Sequence, residues 1–329
     1  MNVEVLRAGL QSTVQDTGRP GYQRFGVVVG GAADPFAARV LNRLVGNDPG
    51  LAVLEMALTG PKLRFSDETL IAWGGADFEA TCEGAPLPKN RPVLVKAGAE
   101  VDFTAARHGT TAWLAVAGGI AVPMVMGSRS TYLAAGLGGL DGRTLAVGDV
   151  LPLGPASEWA GAMAGLLKKS GKPAGWAVPP DRLGFAMPRG ILRVVRGPEW
   201  SWFSKEAHGR FARPLYQVTK DSNRMGLRLN GEPLRLTEPR ELASAAVNHG
   251  LIQVPPSGQP IILGADRQTL GGYPRIGAVV SVDFGALAQL RPGDPVCFQE
   301  IPMAEAHALL ERRERHLAMA TIHLSTPRA

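Results

Sequence analysis

Asp266, Arg267 and Gln268 set an acceptor, a fixed cation and an amide on three successive residues. They follow the apolar run Ile261-Ile262-Leu263 and precede Gly271-Gly272-Tyr273-Pro274. An apolar run bounded by Gly and Pro reads as a buried strand feeding a tight turn, where backbone approaches a ligand closely and polar side chains stand on a stiff scaffold. Charged side chains are almost never buried without a partner, so the triplet calls for a buried Asp–Arg pair that stitches a loop, or for a ligand. Three further strings share its make-up: Gln15-Asp16-Thr17-Gly18-Arg19-Pro20-Gly21, Gly127-Ser128-Arg129-Ser130-Thr131-Tyr132 and Ser222-Asn223-Arg224-Met225-Gly226. Each puts an Arg among short hydrogen-bonding side chains and glycines. Arg presents a planar fork suited to a carboxylate, a phosphate or a developing oxyanion. Taken singly, each cluster is more often structural. Together they point to an anionic ligand, and Arg129 and the 266–268 loop are expected to share one pocket with Asn223 or Arg224.

Other chemistries find no support. A phosphate-binding loop needs GxxxxGK followed by Ser or Thr, and the nearest string, Gly165 to Pro173, has the wrong spacing and ends in Pro. Gly136-Leu137-Gly138-Gly139 lacks the strand–turn–helix setting of a dinucleotide fingerprint. His108, His208, His249, His307, His316 and His323 show no metal-ligand spacing, so no metal site is expected. There is no GxSxG elbow, and neither Cys82 nor Cys297 has a nearby His to activate it. These two cysteines form neither a disulfide framework nor a CxxC, which suits a reducing cytoplasm. No signal peptide is expected, since no basic stretch followed by an apolar core is apparent at the start, and the most apolar stretch, Ala112 to Met126, is interrupted by Gly118, Gly119 and Pro123 and is too short to span a bilayer. A soluble cytoplasmic protein without a membrane partner is expected. The net charge of +6 arises from basic residues scattered among acids. Even Arg312, Arg313 and Arg315 are interleaved with Glu311 and Glu314, as on a solvated helix face, so nucleic acid is not an expected partner.

The elements that must position these clusters are short. The chain has 329 residues, more than one core usually supports, and its 41 Gly and 26 Pro favour many short elements joined by turns. Strands are expected at Val3–Leu6, Leu70–Trp73, Val93–Lys96, Ala112–Val116 and Val150–Leu153. In the second half they are expected at Ile191–Val195, Leu215–Val218, Leu251–Val254, Ile261–Leu263, Ala278–Val282 and Pro295–Gln299. One helix interrupts the first half: Asp34 caps it, Pro35 fits its first position, Gly46 closes it, and Phe36, Val40, Leu41 and Leu44 form its buried face. The reading divides the chain into strand-rich domains at 1–155 and 189–302, a linker at 156–188 with a short helix around Trp159–Leu167, and a C-terminal helix and tail at 303–329. A faint echo links the halves: NRLVG at Asn42–Gly46 with NRMG at Asn223–Gly226, and IAWGGAD at Ile71–Asp77 with IILGAD at Ile261–Asp266. The absence of regular βα alternation argues for barrels or sandwiches.

Read together, these strings resemble the allophanate hydrolase subunit 2 family, also described as the biotin-dependent carboxyltransferase family. It includes the C-type component of the bacterial ATP-dependent 5-oxoprolinase, the antagonist of the sporulation kinase inhibitor, and the carboxyltransferase part of urea carboxylase. The matching motifs are GLQSTVQDTGRPGYQRFGV (Gly9–Val27), GGAADPFAARVLNRLVGN (Gly30–Asn47), GSRSTYLAAGLGGLDGR (Gly127–Arg143), GDVLPLG (Gly148–Gly154), SNRMGLRLNG (Ser222–Gly231) and IQVPPSGQPIILGADRQTLGGYPRIG (Ile252–Gly277). The resemblance implies a mainly β fold with two tandem cyclophilin-like β-barrel domains and a few short helices. It implies a companion of the allophanate hydrolase subunit 1 type, like the B-type component of 5-oxoprolinase, with an A-type lactam-utilisation protein as a further partner. ATP is the implied cofactor, with biotin carried on another protein, because no biotinyl-lysine context is present. The implied chemistry centres on a carbonyl carbon bonded to nitrogen in a small-molecule substrate: a lactam, urea or ureido group. For that chemistry Asp266, Arg129 and Arg224 are the candidate catalytic residues, the arginines stabilising negative charge on oxygen. Asn223, Gln268, Tyr273, Tyr132, Arg19 and Asp34 are the candidate substrate-binding residues. The sequence departs from the family pattern at Gly30 and Ala33, at Leu270 where a Thr is common, and at Ser244-Ala245-Ala246-Val247, which lacks the acid of an SEGV-like string. The implied function is one component of an ATP-dependent 5-oxoprolinase or a related carboxyltransferase. The alternative is a regulatory protein that sequesters a subunit 1-like kinase inhibitor without chemistry.

Overall fold

From Gly75 to Ala80 every second side chain is buried: Ala76, Phe78 and Ala80 face inward while Asp77 and Glu79 are exposed. That period of two fixes a strand with one wet face. It belongs to β5 (Thr69–Cys82), whose earlier half, Leu70 to Gly74, is buried on both faces. The computed structural model describes residues 1–179, 187–213 and 216–323. They divide into two units, one of Met1–Arg19, Gly30–Leu183 and Arg315–Ala329, the other of Pro20–Val29 and Gly184–Glu314.

The first unit is an antiparallel half-barrel. Its strands are β1 (Asn2–Arg7), β2 (Gln11–Gln15), β3 (Val53–Ala57), β4 (Lys62–Phe65), β5, β6 (Ala85–Pro86), β7 (Val93–Val95), β8 (Glu100–Val116) and β9 (Val150–Pro152). Hydrogen bonding runs β2-β3-β8-β4-β1-β9, with β5 pairing β8, β7 and β6. The long β5–β8 ribbon keeps Trp73 opposite Leu114 and Cys82 opposite Val101, with bulges between Gly75 and Ala80 that bend it. Trp73, Phe65, Phe103, Met56 and Leu114 are buried in one core, with Trp73 and Phe103 edge to face at 5.4 Å. Helix α1 (Pro35–Leu44) covers the doubly buried half of β5. Its apolar residues Phe36, Val40, Leu41 and Leu44 are buried, and each such burial contributes roughly 1.5–3 kcal/mol. Within the stretch expected as linker, α2 (Glu158–Ser170) buries Ala160, Met163 and Leu167, a longer helix with a core-facing side. Linker residues 180–186 lie outside the described residues, as do Leu215 of the expected strand and the tail 324–329.

The second unit is a closed barrel. Its strands β10 (Ile191–Arg196), β11 (Tyr216–Val218), β12 (Gly226–Asn230), β14 (Leu251–Gln253), β15 (Ile261–Leu263), β17 (Arg275–Val279) and β18 (Pro295–Glu300) follow the order β10-β17-β14-β15-β12-β11-β18. β18 returns to β10 in parallel, with Ile191 opposite Cys297. A separate ribbon pairs β13 (Ala245–Ala246) with β16 (Leu270–Gly271). Leu192, Val194, Ile252, Ile262, Ile276 and Phe298 fill the barrel, and Phe211 stacks on Phe298 at 4.5 Å. The strand expected at Ala278–Val282 instead lies at Arg275–Val279, and Ser281–Asp283 is a 3-10 turn. The physical reason is Asp283: its buried carboxylate takes the backbone N–H of Arg193 at 2.7 Å and pairs with the Arg193 guanidinium, which turns the chain out of the ladder. The mainly β reading with few helices and cyclophilin-like barrel units holds, although the C-terminal helix, Met303–His323, is long. Among the described residues, no helix is long and apolar enough to cross a membrane.

Candidate functional site

Strand pairing builds the centre of the second unit's polar cluster. β12 and β15 are antiparallel, with Gly226 opposite Leu263. Beyond the strands the pairing continues: the N–H of Gly264 donates to Met225 O at 2.8 Å, and that of Asp266 to Arg224 O at 3.0 Å. Arg224 and Met225 are the tip of a two-residue turn closed by reciprocal bonds between Asn223 and Gly226. The close approach requires a glycine at 264, because a Cβ there would lie 2.3 Å from Arg224 O. The ladder thereby sets Arg224 across from Asp266. Nε donates to Oδ2 at 2.8 Å and Nη2 to Oδ1 at 3.0 Å, a two-pronged ion pair. Asp266 is buried, 4% exposed. Its partner is thus Arg224, far away in sequence, rather than the adjacent Arg267.

Arg267 is buried as well. Its Nε–H donates to Val247 O and its Nη1–H to Ala265 O, each at 3.3 Å, and it forms no ion pair among the described residues. Burial makes its guanidinium easier to deprotonate than usual, an effect that Asp266 opposes. Gln268 donates to Gln253 Oε1 at 3.3 Å, and the buried Gln253 donates to Tyr273 O at 3.3 Å, tying the turn to β14. Asn223 accepts the Met225 N–H at 2.8 Å on its side-chain oxygen, which shapes the turn. Met225, Leu270 and Tyr273 are exposed. His249 stacks on Phe284 at 4.0 Å. Burial, followed by the charges of Arg267 and Arg224, holds its pKa down to about 3, so the ring is neutral at physiological pH. The second unit therefore gathers Asp266, Arg224, Asn223, Gln268 and Tyr273, and with them Arg267 and His249.

In the first unit the predicted residues gather around Asp16. This buried carboxylate accepts from the hydroxyls of Ser128 and Ser130 and the backbone N–H of Arg129, each at 2.6 Å, and from Gly18 N–H at 2.8 Å. Arg129 is oriented by Nε–H donation to Val122 O at 2.8 Å, and its Nη groups make no hydrogen bond among the described residues. Arg19 is fully buried and donates to Ser130 O. Tyr132 is half-buried at the start of the 3-10 turn Leu133–Ala135, its backbone paired with Leu137. Asp34 caps α1, accepting Phe36 N–H at 3.0 Å and Ala37 N–H at 3.2 Å.

Arg267 was legible as a cation in need of a partner, but its separation from Asp266 was not. His249 carried no spacing signal. Its place follows from the Gly250 N–H bond to Leu263 O at 2.8 Å, which draws the end of β14 to the end of β15. Among the described residues no group of His, Cys, Asp and Glu could hold a metal ion. Each unit thus presents an oriented guanidinium able to bind oxygen.

The family model described as carboxyltransferase domain, subdomain A and B, matches residues 25–300. The C-type component of the 5-oxoprolinase of Escherichia coli (strain K12) is 37% identical over 314 residues, 95% of this chain and 96% of its own. The urea amidolyase of Lachancea kluyveri is 31% identical over 94% of this chain, which spans 17% of that protein. The crystal structure of the Kluyveromyces lactis urea carboxylase superposes with a TM-score of 0.86 at 30% identity, covering 96% of this chain and 29% of that one. A family match across most of the sequence and a relative alike from end to end lead to one conclusion: this chain belongs to the carboxyltransferase domain, subdomain A and B, family.

Proposed function

We propose that this chain is the C-type component of an ATP-dependent 5-oxoprolinase, or of a closely related carboxyltransferase, acting with a subunit 1-type (B-like) partner and an A-type partner. The observation that supports the 5-oxoprolinase reading is the greater likeness to the C-type component of 5-oxoprolinase, 37% identical, than to the urea amidolyase, 31% identical. The chemistry of the second unit agrees. Attack on, or transfer from, a carbonyl bonded to nitrogen builds negative charge on oxygen, and a preorganised guanidinium stabilises that charge. Asp266 holds Arg224 in one orientation and sets its donors. Gln268 and Asn223 are proposed to hold the amide edge of the substrate, Tyr273 to flank it, and Arg129 to act as a further cation, with Tyr132, Arg19 and Asp34 supporting the first unit's contribution. ATP supplies the free energy for opening a stable lactam, and none of these residues is assigned to it. In the carboxyl-transfer branch, biotin comes on another protein.

A non-catalytic binding role is the second reading. It is favoured by the ribbon against Leu270–Gly271, where Ala245 and Ala246 offer no acid. Co-expression with the partner proteins and measurement of 5-oxoproline-dependent ATP hydrolysis separates the two. Activity of the complex and none of the isolated chain is expected. Robust turnover by the chain alone refutes the role as one component of a complex, and a stable complex without turnover refutes the enzymatic one.

A further inference from the structure

Asn230-Gly231 is the only Asn-Gly step in the sequence, and it stands where β12 ends. Asparagine before glycine is prone to self-attack, because glycine has no Cβ to hinder its nitrogen. In that reaction the Gly231 nitrogen gives up its proton and attacks Asn230 Cγ. The new C–N bond forms as Cγ–Nδ2 breaks and ammonia leaves, and water then opens the cyclic imide to aspartate or isoaspartate. Asn230 is exposed, and its carboxamide makes no hydrogen bond among the described residues. The attacking nitrogen, by contrast, is held. Gly231 N–H donates to Gln259 Oε1 and Gln259 Nε2 donates to Gly231 O, both at 2.9 Å. Among the described residues Gln259 is the only acceptor for that N–H. The loop between β14 and β15 carries Gln259 between two backbone bonds that bracket the step: Leu229 N–H donates to Pro260 O and Leu234 N–H to Gly258 O, each at 2.9 Å. Gly258, at φ +82°, packs so closely that a Cβ there would lie 2.7 Å from Pro233 Cβ. Pro255, Pro256 and Pro260 stiffen the same loop. On the other side Asn230 pairs with Gln217 of β11.

We propose that Asn230-Gly231 is a spontaneous modification site of this barrel and that Gln259 is the residue that guards it in the folded state. A nitrogen whose N–H is donated to a fixed carbonyl keeps its proton and is held away from the geometry of attack on Cγ. Once modified, the step sets a carboxylate next to Glu232, whose partner is Arg210 at 2.8 Å. The isoaspartate form also adds a methylene to the backbone where β12 pairs β11 in a closed ring. The full chain is incubated in mildly alkaline buffer, and conversion of amide to acid is located by peptide mass mapping. Wild type, Gln259→Leu and Gln259→Glu are compared, each folded and in urea. A neutral hydrogen bond corresponds to about 3- to 10-fold in an equilibrium constant, so folded Gln259→Leu is expected to convert at Asn230 faster than wild type by about that factor. Gln259→Glu keeps an acceptor for Gly231 N–H and is expected to stay close to wild type, and in urea all three convert alike. Slow hydrogen exchange at the Gly231 amide of wild type is expected as well, a reading that stands whether or not the Leu variant folds. Conversion in folded wild type as fast as in urea, a Leu variant no faster than wild type, a Glu variant as fast as the Leu variant, or an unprotected Gly231 amide overturns the assignment.

Discussion

Replacing Asp266 by Asn keeps the shape of the side chain and removes its charge. In the folded barrel the fork at 2.8 and 3.0 Å then loses its anion, beside a neutral His249. Breaking a buried pair by removing one partner costs about 3–5 kcal/mol. Arg224 retains some solvent access, with 14% of its side chain exposed, which places the expectation at the lower end, about 3 kcal/mol. For a unit of this size that corresponds to a fall in Tm of roughly 9 °C. Arg224→Gln alone is expected to lose a similar amount, because Asp266 is then buried without its cation. The double variant carries neither charge and is expected to melt above both single variants, since the pair no longer leaves an orphan. Turnover of the complex is expected to vanish in all three, because the oriented guanidinium is lost even where stability returns. Thermal melts with activity assays on the four proteins read the cycle directly. An Asp266→Asn melt within about 2 °C of wild type, or a double variant no better than the sum of its parts, refutes the ion-pair reasoning.

Asp34→Ala is expected to cost the first unit about 1 kcal/mol through loss of the helix cap, with the KM of the complex unchanged; a raised KM at full stability assigns Asp34 to the substrate instead. His249 gives the second unit a pH dependence of known sign. Its folded pKa of about 3 lies below the unfolded value near 6.5, so its contribution is complete above pH 6.5 and is lost as pH falls towards 3, by up to about 1.4 kcal/mol per pH unit. Urea melts between pH 7 and pH 4 should show this slope in wild type and a shallower one in His249→Gln; equal slopes refute it.

The sequence carried the periodic parts of this fold well. Asp34, Pro35 and the Phe36, Val40, Leu41, Leu44 face specify α1 through local rules, and the apolar run Ile261–Leu263 is β15 as written. The cluster residues were also visible, because Arg beside Gly and short polar residues is an unusual combination. What local patterns do not encode is pairing. That Asp266 meets Arg224 rather than Arg267 depends on the β12–β15 register, a contact between distant segments. The half-barrel's long β5 and β8 exceed the short strands read from Leu70–Trp73 and Ala112–Val116, because Gly75 and Gly109 interrupt the apolar pattern at bends that the ladder tolerates. The internal echo divides in the same way. IAWGGAD and IILGAD both enter strands, but NRLVG closes a helix while NRMG makes the turn before β12.

The backbone bonds that carry Arg224 and Asp266 past the end of the β12–β15 ladder tie the lifetime of the ion pair to that of the barrel. A closed ring of strands has no edge from which to fray, so the amides of Gly264 and Asp266 open only with larger parts of the unit. Slow amide exchange at these two positions would accompany a site that keeps its shape up to the melting transition. Heat inactivation at this cluster then coincides with global unfolding, with no earlier stage in which the barrel stands and the clamp has already loosened.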